Sequence, residues 1–391
     1  MDIGIDARIP RGDPIALTQA LVAIDSQNPS LDEGGAGEAA TAFLLAAVLE
    51  TWGFAVEMQE AAEGRPNVIA RIGKPGGRSL MFNGHMDVVG VSGMTHAPFD
   101  AVERDGRIYG RGAADMKSGI AAMCCAALRA HEAGLAGEII IAAVIDEEFT
   151  SLGTQALIAG GVRADAAIVT EPTGLAIMPA HRGFVWIDAT FIGRAAHGSR
   201  WEIGVDAIRH AGLFLAELDR YDAETLAKRG HPLLGRPSVH ASLISGGTER
   251  STYPDRCELA IERRTIPGES ADQILLEMQE LCDRVRVANS SFDGSVRIKL
   301  SQSPSDVATS APVVRALSAA LAKCGVRESI GGMSAWTDAA LLNAAGIPAI
   351  CFGPGDIALA HAAEEFVPVD EIEEATRVLT DLALRWTASA G

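Results

Sequence analysis

Apolar runs in this chain stop, one after another, at a histidine or a carboxylate. In LMFNGHMDVVG, residues 80–90, Leu80, Met81 and Phe82 lead through Asn83 and Gly84 to His85 and Asp87. Such a run reads as a buried strand with a polar carboxyl end, and side chains at i and i+2 share one face of a strand. His85 can then turn one ring nitrogen toward a metal while a nearby carboxylate fixes the tautomer of the other. The pattern recurs in IIIAAVIDEE, which delivers Glu147 and Glu148, and in AAIVTEP, which delivers Glu171. Asp115 in YGRGAADMKSG precedes an Ala-rich helical stretch, and His361 lies in FGPGDIALAHAAEE.

Taken singly, each position has a plainer reading. Asp115 would be a helix N-cap, the acids at 146–148 a solvated turn, and His361 a surface histidine. Taken together they point elsewhere. Strand ends in an α/β sheet converge on the crevice outside their carboxyl edge. Two histidines and three carboxylates form the set that a pair of divalent ions takes, with one carboxylate bridging them. A cation also offsets the cost of an acid emerging from a buried edge.

The rest of the chain fits that frame. Asp13-Pro14 reads as an N-cap and first helical residue, followed by a helix over 39–52 and strands over 55–58, 67–72 and 80–83. A helix over 116–133, a strand over 138–145, a helix over 151–159 and a strand over 166–169 continue an α/β alternation. After Pro179 the order changes to strand 184–192, helix 205–218, strands 238–245 and 257–264, helix 271–287 and strand 296–300. That order predicts an inserted α+β sandwich of ferredoxin-like type. Helices over 311–323 and 337–343, a strand over 347–352 and a helix from 370 then resume the first pattern. A chain of 391 residues exceeds what one core usually organises, so residues 1–181 with 301–391 are expected as one α/β domain and 182–300 as its insert.

A net charge of -18 argues against a nucleic-acid partner. Residues 1–14 lack the basic flank and apolar core of a secretory leader, and no apolar run approaches the roughly 18 residues of a membrane span. The expectation is a cytoplasmic protein with no membrane partner. The six cysteines show no CxxC spacing, which suits reduced structural thiols. Cys124 and Cys125 have no evident histidine partner, which disfavours a thiol nucleophile.

In order and spacing, the succession GHMDVV, GRGAADMKSG, DEE, TEP and a late histidine resembles a two-zinc amidohydrolase and peptidase family. That family contains acetylornithine deacetylase, succinyl-diaminopimelate desuccinylase, aminoacylase and glutamate carboxypeptidase. The resemblance spans nearly the whole chain. It implies a zinc-peptidase-like three-layer α/β catalytic domain carrying an inserted lid or dimerisation domain. It also implies two divalent ions, zinc by expectation, although His and carboxylate ligands accept cobalt or manganese as well. By the same resemblance His85, Asp115 and Glu171 would hold one ion and Asp115, Glu148 and His361 the other. Asp87 would orient His85, Glu147 would act as general base, and the Asp115-Met116 peptide would be cis. In the insert, His197 of FIGRAAHGSR would stabilise an oxyanion in the partner subunit of a homodimer, and Arg264 of ERRTIPGE would grip a substrate carboxylate. One departure is Ser251, in STYPDR, where many members have asparagine. The expected activity is deacylation of a small N-acyl amino acid. A dipeptidase or carboxypeptidase using the same site is the nearest alternative, and a noncatalytic homologue is the alternative of a different class.

Overall fold

The computed structural model describes residues 9–388. Residues 1–8, on which part of the reading of the N-terminus rests, lie outside the described residues. Two compact units are present: Met1–Pro179 with Val307–Gly331 and Thr337–Gly391, and Ala180–Asp306 with Gly332–Trp336. The second unit thus takes in residues 332–336, a segment that the sequence pattern grouped with the α/β part.

In the first unit the central strands run Ala55–Ala62, Arg65–Gly73, Glu138–Val144, Ser79–His85, Ala167–Val169 and Ala349–Cys351 across the sheet. Ser79–His85 pairs in parallel with both Glu138–Val144 and Ala167–Val169, and Ala349–Cys351 continues parallel to Ala167–Val169. Parallel pairing sets the carboxyl ends of these strands along one edge, as the strand-end pattern requires. Parallel strands are buried on both faces. Ile139, Ile141 and Ala143 accordingly join the main core with Ile120, Leu128, Leu379 and Leu382 of the helices Ser118–Glu132 and Val369–Ala388. On the opposite face Asn83 reaches Thr154 of the helix Leu152–Ala159 at 3.4 Å. The result is an α/β fold with helices on both sides of a large sheet.

Local chemistry explains several boundaries. Asp13 caps the helix Pro14–Val22 by accepting the N–H groups of Ile15 and Ala16, each at 3.0 Å, with Pro14 at the first position. The helix expected from 116 begins at Ser118, because Asp115 and Met116 have non-helical backbone angles, and the Asp115-Met116 bond is cis. Gly119 lets that helix approach the next strand end: a Cβ there would lie 2.0 Å from the carbonyl oxygen of Thr170. A small sheet of Val102–Arg104, Arg107–Tyr109 and Phe366–Pro368 was not visible in the sequence, since each strand is only three residues long.

The second unit is an antiparallel sheet in the order Ser238–Gly246, Arg256–Thr265, Gly183–Ile192, Asp293–Gln302. Its inner face places Val185, Ile187, Ala189 and Phe191 against Phe214 and Leu281 of the helices Ala207–Glu224 and Ala271–Ala288. Strand, helix, two strands, helix, strand in this order is the ferredoxin-like α+β arrangement expected of the insert. No helix among the described residues is long and apolar enough to cross a membrane.

Candidate metal centre

His85 closes its strand, buried to 1% exposure. Its Nδ1 lies 2.9 Å from the main-chain carbonyl of Asp87, which fixes that nitrogen as the donor and turns Nε2 outward. Nε2 sits 3.1 Å from Asp115 Oδ1. The Asp87 carboxylate is occupied differently: it accepts the N–H groups of Glu147 and Glu148 at 3.2 Å each and the Asn28 side-chain amide at 2.8 Å. Asp87 therefore accepts from His85 through its carbonyl, with its Oδ1 3.6 Å from the same ring nitrogen, and positions the neighbouring acidic turn through its side chain.

Two groups of atoms that could hold a metal ion result, His85 with Asp115 and Glu171, and Asp115 with Glu148 and His361; within each, the atoms lie within 4.8 Å of one another. Asp115 belongs to both, with His361 Nε2 at 3.6 Å from its Oδ2 and at 3.0 Å from Glu148. Glu147 stands beside the first group, 4.0 Å from His85 Nε2. Its proton affinity is held well above the ordinary carboxylate value by burial, opposed by His85 and reinforced by Glu171, Asp338 and Glu148. Burial and the charge of Asp115 raise Glu171 in the same way, and burial raises Asp87 to about 7. Glu148 pushes His361 up to about 9. So much negative charge at a buried edge calls for a cation. Glu171 Oε1 is buried with no hydrogen-bond partner, which a ligand atom awaiting an ion would be. Mixed imidazole and carboxylate donors in two triads sharing one acid fit a pair of divalent ions.

Residues scattered through the sequence support this centre. Asp146, the first acid of the DEE run, turns away from the ligand atoms to Arg65, Asn28, Ser30 and Thr150. Arg65 also binds fully buried Glu38 at 2.6 Å, and Glu38 accepts the Asp146 N–H. Asp338 accepts Thr154 Oγ1 at 2.6 Å behind the His85 strand. Asn28, Glu38, Arg65 and Asp338 carry no local signal; only the fold brings them together.

His197 and Arg264 belong to the second unit. His197 is exposed, with Nδ1 held by Ser199 Oγ at 2.8 Å. Arg264 pairs with Glu262 at 3.1 Å and donates to the Ser334 carbonyl at 2.7 Å, with Phe184 beneath it. Ser251 accepts the Gly198 N–H through its carbonyl at 2.6 Å.

The pattern of peptidase family M20/M25/M40 matches residues 81–385. The chain belongs to that family. It is 30% identical over 340 residues to acetylornithine deacetylase of Myxococcus xanthus, covering 85% of this chain and 88% of the relative. The fold is similar to that of aminopeptidase PepT from Bacillus cereus, with a TM-score of 0.80 and 22% identity over 97% of this chain and 100% of the other. It is also similar to that of a dinuclear metal binding peptidase of this family from Bacillus subtilis, with a TM-score of 0.74 and 17% identity over 96% and 98%. This M20 chain is accordingly a hydrolase.

The buried Glu38 and Asp146 carboxylates depend on Arg65. Replacing it by Met leaves them without a counterion, and Arg65→Met should lower unfolding free energy by about 3 kcal/mol, the low end for a broken buried pair, because Arg65 keeps some exposure. Urea denaturation measures this; an unchanged midpoint would show that the network contributes nothing.

Proposed function

We propose that this M20 hydrolase removes the acyl group from a small N-acylated amino acid at a dinuclear metal centre, with Glu147 as general base. The observation that carries the reading is the pair of ligand triads sharing Asp115, with the Glu147 carboxylate beside them. In this reading His85, Asp115 and Glu171 hold one divalent ion, and Asp115, Glu148 and His361 hold the other. When bound, two such ions supply a water acidified toward neutral pH and a polarised substrate carbonyl.

The chain's own groups do the remaining work. Glu147 takes the proton from the attacking water and returns it to the departing amine nitrogen. Burial raises the proton affinity of Glu147, which strengthens it as a base toward that water. Asp87 keeps Glu147 in place through the turn amide that it accepts. Arg264 exchanges its bonds to Glu262 and the Ser334 carbonyl for the substrate carboxylate, whose geometry its planar donor fork matches, and so selects substrates with an acid beside the scissile amide.

The acetylornithine deacetylase relative supports deacylation, whereas the family also contains peptidases, and both reactions cleave an amide next to a carboxylate. A panel of N-acetyl, N-succinyl and dipeptide substrates decides between them: faster turnover of N-acyl amino acids supports the reading, and exclusive dipeptide turnover replaces it with a dipeptidase. Glu147→Gln should retain metal while losing about a hundredfold or more in kcat. Unchanged turnover would remove Glu147 from the mechanism.

The same reading makes the chain a homodimer joined through the second unit, with His197 serving the partner's site. The edge strand Ser238–Gly246 supports this: among the described residues it pairs on one side only, and it exposes Leu243 and Ile244 at 73% and 59%. An oxyanion donor contributes on the order of a hundredfold to a thousandfold in kcat. His197→Ala and Glu147→Ala should each be nearly inactive, and mixing them under conditions of subunit exchange should restore activity in one site of each heterodimer. A mixture that stays inactive despite verified exchange would place His197 in its own chain's chemistry or in none.

A further inference from the structure

Glu365 is fully buried, and its two carboxylate oxygens have different partners. Oε1 accepts the main-chain N–H groups of Ala114 and Asp115 at 3.0 and 3.1 Å, while Oε2 receives Arg111 Nη1 at 2.6 Å. Arg111 also donates to the carbonyls of Ala362 at 3.4 Å and Gly90 at 3.2 Å. The backbone closes the same ring, since the Gly110 N–H bonds the Glu365 carbonyl at 3.2 Å. One short segment, residues 361–365, therefore carries both His361 of the second triad and the acceptor that holds the backbone of Asp115.

We propose that Glu365 is a positioning residue for the metal centre: through the amides of Ala114 and Asp115 it sets where the shared Asp115 carboxylate points. An oxygen that accepts two successive amides fixes the orientation of that peptide stretch, and a charged acceptor strengthens both bonds. The stretch needs such a hold. It follows Gly112, at φ 82°, and departs from helical geometry at Asp115 and Met116 before the helix begins at Ser118. Arg111 neutralises Glu365 in place, so the position requires an acceptor at Oε1 rather than a net charge. Because Asp115 serves both triads, Glu365 acts on both ions, whereas a residue supporting only His361 would act on one.

The role rests on the proposed dinuclear centre, and calorimetric titration of the metal-free full chain with Co²⁺ separates the two. The parent should bind two ions. Glu365→Ala should bind both about 10–100-fold more weakly, the usual cost of losing a group that orients a ligand, with an unchanged circular dichroism spectrum. The double variant Glu365→Gln with Arg111→Met keeps an oxygen for the two amides without leaving a lone charge, and should return both affinities toward the parent's. Parent-like binding by Glu365→Ala, weakening confined to one ion, or a double variant as weak as Glu365→Ala would each overturn the proposal. Should Glu365→Ala fail to fold, Glu365→Asp keeps the charge but withdraws the acceptor by one methylene, and carries the same expectation and the same reversal. A parent that takes up no Co²⁺ would overturn the metal centre itself.

Discussion

Negative charge confined to one buried sheet edge is the constraint that this structure is built around. Parallel pairing of the strands ending near His85, Val144 and Val169 puts their polar successors side by side, so Glu148 and Glu171 meet Asp115, with Glu147 beside His85, whether or not their charges are compatible. Burial, and after it the neighbouring carboxylates, hold the proton affinities of Glu147 and Glu171 above the ordinary value. The fold meets part of this load with donors: Asn28 and two turn amides on Asp87, and Arg65 on Glu38 and Asp146. In the proposed centre the charge of the two triads is left to the cations.

The outline of that edge was legible in the sequence because its signal is local. An apolar run that gives way to an acid or histidine marks a strand end, and His85, Glu148 and Glu171 all come shortly after such runs. The α/β alternation and the strand–helix order of the insert were readable for the same reason, as hydrophobic periodicity within single elements. The scaffold beneath the site was not. Glu365 and Asp115 are 250 residues apart, and Asn28 and Asp146 are 118 apart, so nothing in either neighbourhood announces the pairing. Asp87 shows the intermediate case. Its place two residues after His85 was informative, and its carboxylate does lie 3.6 Å from the histidine ring, but that the same carboxylate also holds the acidic turn was not readable.

Position within the DEE run illustrates how finely the backbone divides similar residues. Asp146 adopts a positive φ of 66° and turns into the Arg65 network, whereas Glu147 and Glu148, with amides pinned by Asp87, face the other ligands. Three adjacent acids thus acquire three tasks in the proposed mechanism: support, proton transfer and metal binding. Substitutions along this run should not be read as equivalent, and neither should the acids after His361, where Glu365 is buried and Glu364 is exposed.

The central claim is that Asp115 lies between two ions. Anomalous scattering from a crystal of the cobalt-loaded protein, recorded at the cobalt absorption edge, tests it most directly. Two peaks about 3.5–4 Å apart are expected on either side of the Asp115 carboxylate, one against His85 and Glu171 and the other against Glu148 and His361. A single peak, or peaks that leave Asp115 outside the coordination of either ion, would contradict it.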